Sequence, residues 1–123
     1  MKLKNSLFEV VSDTASAKGH DYAIRLNSDH VIYKAHFPEQ PITPGVCIIQ
    51  IAQELLEDMV GKALLIHIVK NVKFLRVISP VETPDICYSL QNVSEEDGMV
   101  KAQVAVVSGD DVYAKISFIC QIA

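Results

Sequence analysis

His36 opens a stretch that holds three prolines in seven residues, Pro38, Pro41 and Pro44, with Gly45 directly after the last. An imidazole titrates near neutral pH and can both take and return a proton. Each proline fixes φ, and Pro38 and Pro41 lack the N–H that a sheet ladder needs. Residues 36–44 therefore read as a rigid, extended loop. From Gly45 onward the pattern turns helical. Val46, Ile49, Leu56 and Val60 recur at helical spacing, and Cys47, Ile48, Ile51, Ala52 and Leu55 fill in nearly all round. A helix so apolar is predicted to be buried. The loop thus delivers a histidine to a helix N-terminus, where free backbone N–H groups and the positive end of the dipole converge. That arrangement suits holding a polarised carbonyl oxygen.

The other elements follow from pattern. Residues 7–16 read as a helical turn leading into a first strand. Lys18-Gly19-His20-Asp21 is a turn signal, and Tyr22, Ile24 and Leu26 alternate on one face of a half-buried strand. Gly61 is a stop for the helix. Residues 62–77 form one long β-branched run, read as a strand with a bulge near Lys70-Asn71. Residues 86–93, 99–107 and 112–122 alternate as three further strands, with an acidic turn at Ser94–Gly98 between the first two. No crossover helices separate these strands, so an antiparallel sheet around one helix is predicted, an α+β architecture. One sheet covers only part of an apolar helix, which leads us to expect a partner protomer over the rest.

Composition bounds the function. The chain has 123 residues and 50% hydrophobic content, which suits a single domain over residues 1–123. A net charge of -4 with no basic face argues against nucleic acid as a partner. Cys47, Cys87 and Cys120 are an odd, dispersed set, expected as free thiols in a reducing compartment, with Cys87 and Cys120 in the core. Cys47, in the first helical turn, is read as a buried, inert thiol. The N-terminal lysines have no long apolar run behind them, so no signal peptide is expected. No run is long and apolar enough for a membrane span, and a cytoplasmic location is the default. No Cys/His spacing suggests a metal, and no glycine-rich loop suggests a nucleotide. His20, His30 and His67 are read as surface or strand positions. Glu57 and Asp58 are read as a solvated helix end.

The segment His36-Phe37-Pro38, Pro41, Pro44-Gly45-Val46 resembles the loop and helix start of the hotdog-fold 3-hydroxyacyl-acyl carrier protein dehydratases, without a gap. Phe74-Leu75-Arg76 ahead of Ile78-Ser79-Pro80 is similar to a second, weaker family feature. The resemblance implies a hotdog fold, an antiparallel sheet wrapped around one long central helix. It implies a homodimer, with higher oligomers or a heteromer with an active homologue left open. It also implies an acyl chain delivered on the phosphopantetheine arm of acyl carrier protein, and no cofactor of the protein's own. His36 and the carboxylate position would be catalytic, and Phe37, Pro44, Gly45 and Val46 would line the substrate. Lys73 and Arg76, with Lys70, form a modest basic cluster. They read either as a docking patch for an acidic carrier or as ordinary surface charge.

The chain departs from the family where the carboxylate should stand. Fourteen residues after His36 the residue is Gln50. Dehydration removes a C2 proton and expels the C3 hydroxyl as water. Glutamine can orient that hydroxyl but cannot give it a proton. Losing a proton-transfer group commonly costs on the order of 10²–10⁴-fold in rate. Three readings stand: His36 acts alone as base and then acid; Glu54, roughly one turn or ~5–6 Å further on, substitutes; or the protein binds acyl chains or supports an active partner subunit. A hotdog thioesterase is a further reading, ranked last, because it too needs a carboxylate to position water.

Overall fold

The structure is a computed structural model and describes residues 2–123. Its elements are β1 (Phe8–Ser16), β2 (Gly19–Leu26), α1 (Val31–Ala35), α2 (Gly45–Val60), β3 (Leu64–Phe74), β4 (Asp85–Glu96), β5 (Met99–Ser108) and β6 (Asp111–Ile122). The strands form one sheet in the order β1-β2-β4-β5-β6-β3, and every pairing is antiparallel.

Alternation decides which face of this sheet is dry. Ile86, Tyr88 and Leu90 of β4, Val100, Ala102, Val104 and Val106 of β5, and Ala114, Ile116, Phe118 and Cys120 of β6 are buried. One row runs Leu90, Val104, Ile116, Val72 across four strands. A one-residue slip would turn that row to solvent, so burial pins the register. α2 lays Ile48, Ile51, Ala52, Leu55 and Leu56 into the same core. The Tyr88 hydroxyl donates to the Ile48 carbonyl at 3.0 Å, which gives a fully buried phenol its partner.

The ends of α2 are well determined. Pro44 is the N-cap, and Gly61 closes the helix at φ 70° with its N–H on the Glu57 carbonyl at 2.8 Å. From there two helix side chains hold the first residue of β3. Gln53 donates to the Leu64 carbonyl and Glu57 accepts the Leu64 N–H, each at 2.8 Å. Glu57 is therefore a bracket between helix and sheet rather than a solvated end. Asp58 is exposed but accepts the Tyr22 hydroxyl at 2.8 Å.

The structure departs from the sequence expectations in several places. α2 departs from full burial only in the way expected of a single sheet, which covers part of it: Val46 is 76% exposed, and Ile49, Gln50 and Gln53 are half-buried. β3 ends at Phe74 rather than Val77, since the N–H groups of Leu75 and Arg76 both turn onto the Tyr113 carbonyl. It carries two irregularities, at His67 and at Lys70, where one near Lys70-Asn71 was expected. β4 runs on to Glu96, so the acidic turn shrinks to Asp97-Gly98. Residues 31–35 form a short helix because His30 caps it, its Nδ1 accepting the Ile32 N–H at 3.1 Å. Cys87 is only half-buried, with a strand parity opposite to Ile86 and Tyr88, so it lies off the core face.

Candidate functional site

His36 follows directly on α1 and caps it, its N–H on the Ile32 carbonyl at 3.0 Å. The side chain is exposed and lies edge-on to Phe37, ring centroids 5.6 Å apart, across a cis peptide bond. The loop then closes on itself. The N–H of Gln40 donates to the Phe37 carbonyl and that of Ile42 to the His36 carbonyl, both at 3.0 Å. Thr43 leaves the loop by donating its N–H to the Ile78 carbonyl at 2.8 Å. The chain therefore returns to the backbone of His36 three residues before α2 begins.

At the start of α2 the N–H groups of Cys47 and Ile48 turn back to the Pro44 carbonyl, at 3.0 and 3.1 Å. The N–H groups of Gly45 and Val46 have no partner among the described residues, and they stand at the positive end of a sixteen-residue helix. Phe74 lies over Gly45 so closely that a Cβ there would meet Cζ of the ring at 2.8 Å. Only glycine allows that approach. Beside it is a cleft of about 360 Å³ lined mainly by Ile42, Gly45, Ile48, Phe74, Val77 and Ile78. A larger depression of about 420 Å³ lies near Asn5, Glu9, Arg25 and Asn27. Its cation Arg25 is already paired with Asp85 at 2.8 Å, and no open helix end lines it; His36 lines neither depression and reaches the Gly45 cleft only through the Ile42 N–H on its carbonyl. The cleft at Gly45 is the candidate site.

Gln50 and Glu54 lie further along α2, one turn apart. Gln50 Nε2 donates to Glu54 Oε2 at 3.0 Å. Glu54 is only 6% exposed, and it also accepts the N–H of Leu3 at 2.8 Å and that of Lys4 at 2.9 Å. Lys2 and Lys4 add ion pairs to Glu57 and Asp58, each at 3.6 Å. The N-terminal segment is thus strapped to the polar stripe of α2, and the Glu54 carboxylate is occupied by backbone donors. This is the physical objection to Glu54 as a substitute acid.

Lys73 stands directly opposite Lys115 across the β3–β6 pair, and Arg76 is within 3.4 Å of Asp111. Arg76 borders the cleft and Lys73 does not. Burial raises the thiol of Cys47 above its usual value, so the helix N-terminus does not make it a reactive thiolate. No group of three His, Cys, Asp or Glu side chains among the described residues could hold a metal ion. Nor is any helix among them long and apolar enough to cross a membrane. Tyr33 and Thr43, which tie the loop down together with Ile78, were not singled out in the sequence, and Ile78 entered it only as the start of the proline turn. A lone threonine inside a proline loop was the only hint of them.

Comparison with known proteins agrees with this fold. The family model described as ApeI-like, ApeI dehydratase, matches residues 12–114. The chain is 30% identical over 101 residues to the 3-hydroxyacyl-[acyl-carrier-protein] dehydratase FabZ of Latilactobacillus sakei, covering 76% of this chain and 71% of that one. It is 32% identical over 95 residues to the corresponding FabZ of Clostridium acetobutylicum, covering 71% and 67%. Among solved structures it is similar to the dehydratase heterocomplex ApeI:P from Xenorhabdus doucetiae. That match has a TM-score of 0.66 at 15% identity, over 91% of this chain and 96% of that one. The fold expected from the sequence, an α+β hotdog, is the fold observed.

Proposed function

The chain belongs to the ApeI-like dehydratase family, and from that premise we propose that it acts on 3-hydroxyacyl thioesters carried by acyl carrier protein, in fatty acid or related acyl-chain biosynthesis. One observation carries this reading: the histidine loop closes next to a helix start whose two leading N–H groups are open, beside an apolar cleft.

The chemistry runs as follows. The thioester carbonyl accepts hydrogen bonds from the Gly45 and Val46 N–H groups, and these strengthen as the oxygen gains charge. His36 removes the C2 proton. The imidazolium returns it to the C3 hydroxyl, which leaves as water, and the electron pair of the broken C2–H bond forms the C2–C3 double bond of a trans-2-enoyl thioester. Phe37 and Pro44 border the substrate. The acyl chain uses the cleft under Phe74, and no cofactor beyond the carrier's phosphopantetheine arm is required. Gln50 orients rather than protonates, which makes the reaction slower than one with a carboxylate at that position.

A second reading is favoured by the state of Gln50 and Glu54. With an amide at the carboxylate position and the next carboxylate held by the Leu3 and Lys4 N–H groups, the chain serves as the partner subunit of an active homologue. The heterocomplex named for its structural neighbour belongs to that neighbour, but it makes the arrangement a concrete one. In either reading β3 pairs with a second protomer, since it is an edge strand with exposed Leu65, Ile68 and Val69. A soluble, cytoplasmic protein suits a carrier-borne substrate, and in this reading Lys73 and Arg76 are the charges that would meet an acidic carrier.

The test is turnover of 3-hydroxyacyl-carrier substrates of several chain lengths by the purified protein, with His36→Ala beside it. Enoyl product that falls at least ~10²-fold in the variant supports the enzyme. Turnover that appears only when an active homologue is added supports the partner subunit. Release of free carrier thiol identifies a thioesterase and overturns both, as does no reaction under any of these conditions.

A further inference from the structure

Tyr33 and Thr43 are 2% and 4% exposed, and their hydroxyls share a hydrogen bond of 2.8 Å. Among the described residues, Thr43 and Glu54 are the two buried polar side chains apart from the tyrosines. Their position in the chain is what matters. Tyr33 sits in α1, three residues before His36, and Thr43 sits two residues before Gly45. The pair therefore joins the two stems of the loop that separates the histidine from the open helix end. Between the stems His36, Phe37, Pro38, Glu39 and Gln40 are all exposed. The loop has two backbone hydrogen bonds of its own, Gln40 to Phe37 and Ile42 to His36, but its exposed side chains add little packing, so its stems set where it stands on the fold. Two apolar side chains could fill the same space, but they would not fix a direction and a distance as a hydrogen bond does.

We propose that Tyr33 and Thr43 are positioning residues: their hydrogen bond holds the His36 end of the site at a set distance from the Gly45 end. This rests on the dehydratase reading, in which base and carbonyl-holding N–H groups must meet one substrate in a single geometry. Misplacement of reacting groups by about 1 Å can cost on the order of 10²-fold in rate. Burial raises the Tyr33 phenol above its usual value, which keeps the hydroxyl protonated and able to share the bond at any physiological pH.

The test uses Tyr33→Phe, Thr43→Val, the double variant and Thr43→Ser. Each single change strands one buried hydroxyl or leaves its partner unpaired, whereas the double change leaves nothing stranded. The double variant is expected to recover most of the thermal stability lost by the singles. Its kcat is expected to stay roughly tenfold or more below wild type with KM within about threefold, because geometry and not binding is lost. Thr43→Ser, which keeps the hydroxyl, is expected to restore kcat. Hydrogen exchange at the Ile42 amide, which closes the loop onto His36, is expected to quicken about tenfold or more in the double variant. A double variant with wild-type stability, kcat and Ile42 exchange overturns the proposal, since the pair then only fills space. If wild type shows no turnover at all, the dehydratase reading fails. The Ile42 exchange then decides the proposal by itself: faster exchange in the double variant supports it, and unchanged exchange overturns it.

Discussion

Gln50 donates its side-chain amide to Glu54 Oε2 across one helical turn, at 3.0 Å. The residue that the sequence resemblance sets at the family's carboxylate position is thereby joined to the carboxylate that holds the N-terminal strap. An amide and a carboxylate are compatible neighbours at that distance. Two carboxylates are not, unless they share a proton.

Gln50→Glu is therefore expected to destabilise the fold at neutral pH rather than simply restore a catalytic acid. The introduced carboxyl group would have its folded pKa raised above the unfolded value of about 4.3 by the adjacent Glu54. Its stability is intact below that value and is lost as pH rises through the raised one. Urea unfolding should show a deficit of roughly 1–3 kcal/mol at pH 8 that shrinks at pH 5. A deficit of equal size at both values would count against the coupling.

The strap itself depends on Glu54. Removing the carboxylate in Glu54→Ala strands the buried Leu3 N–H and the half-buried Lys4 N–H, with an expected loss of about 2–4 kcal/mol. Glu54→Gln keeps one acceptor and should lose less. Exchange of the Leu3 and Lys4 amides should quicken in both variants, and most in alanine. A change within about 0.5 kcal/mol, typical of an exposed surface site, would show that the strap is not held this way.

The sequence carried the fold further than it carried the site. Helix α2 was legible to the residue, because Pro44-Gly45 and Gly61 punctuate it and apolar spacing fills it. The strands were legible from alternation, except where hydrogen bonds rather than pattern decide: β2 starts at Gly19, inside the segment read as a turn, because β1 and β4 pair it on both sides, and β3 ends when Leu75 and Arg76 turn to Tyr113. Within the site, the loop from His36 to Val46 is local in sequence and could be read directly. Glu54 could not, because its partners are the N–H groups of Leu3 and Lys4, some fifty residues away, and backbone donors carry no residue identity. Phe74 over Gly45 was hidden for a related reason, since only the curvature of the chain brings them together.

That contact gives a third expectation. In Gly45→Ala the new methyl would stand 2.8 Å from Phe74 Cζ. The ring is 49% exposed and can swing outward, so the fold should survive with a small change in melting temperature. The displaced ring should alter the cleft and lower acyl-substrate affinity by roughly tenfold. Adding Phe74→Leu should recover part of that loss. Calorimetric titration with an acyl-pantetheine analogue reads it, and an unchanged affinity in Gly45→Ala would separate the cleft from substrate binding.

Edge strand β3 exposes Leu65, Ile68 and Val69, with Ile68 at 46%. Placing a charge on such an edge blocks pairing with another chain. Ile68→Lys is expected to shift sedimentation from dimer to monomer at micromolar concentration while the circular dichroism of the sheet is kept. A wild-type protein that sediments as a monomer would remove the premise.

The thiols report on the core. Burial raises all three cysteines, and Cys120, next influenced by the Glu57 charge, is pushed up to about 11 from 9.0. Cys87 is half-buried off the core face while Cys47 and Cys120 are buried, so iodoacetamide at pH 8 should label Cys87 first and Cys120 last. The same shift has a consequence for stability. Between the two values the folded protein keeps the Cys120 proton and the unfolded chain does not, so the bound-proton difference makes stability fall as pH rises. Below pH 9.0 that contribution is fully present, and it is lost progressively through about 11. The buried phenols of Tyr22 and Tyr88, also raised, extend the fall to higher pH. Cys120→Ala should therefore flatten the slope of unfolding free energy against pH between about 9 and 11, whatever it costs in packing at pH 7. Unfolding curves taken across that range decide it: a slope equal to wild type would mean the Cys120 thiol titrates alike in both states.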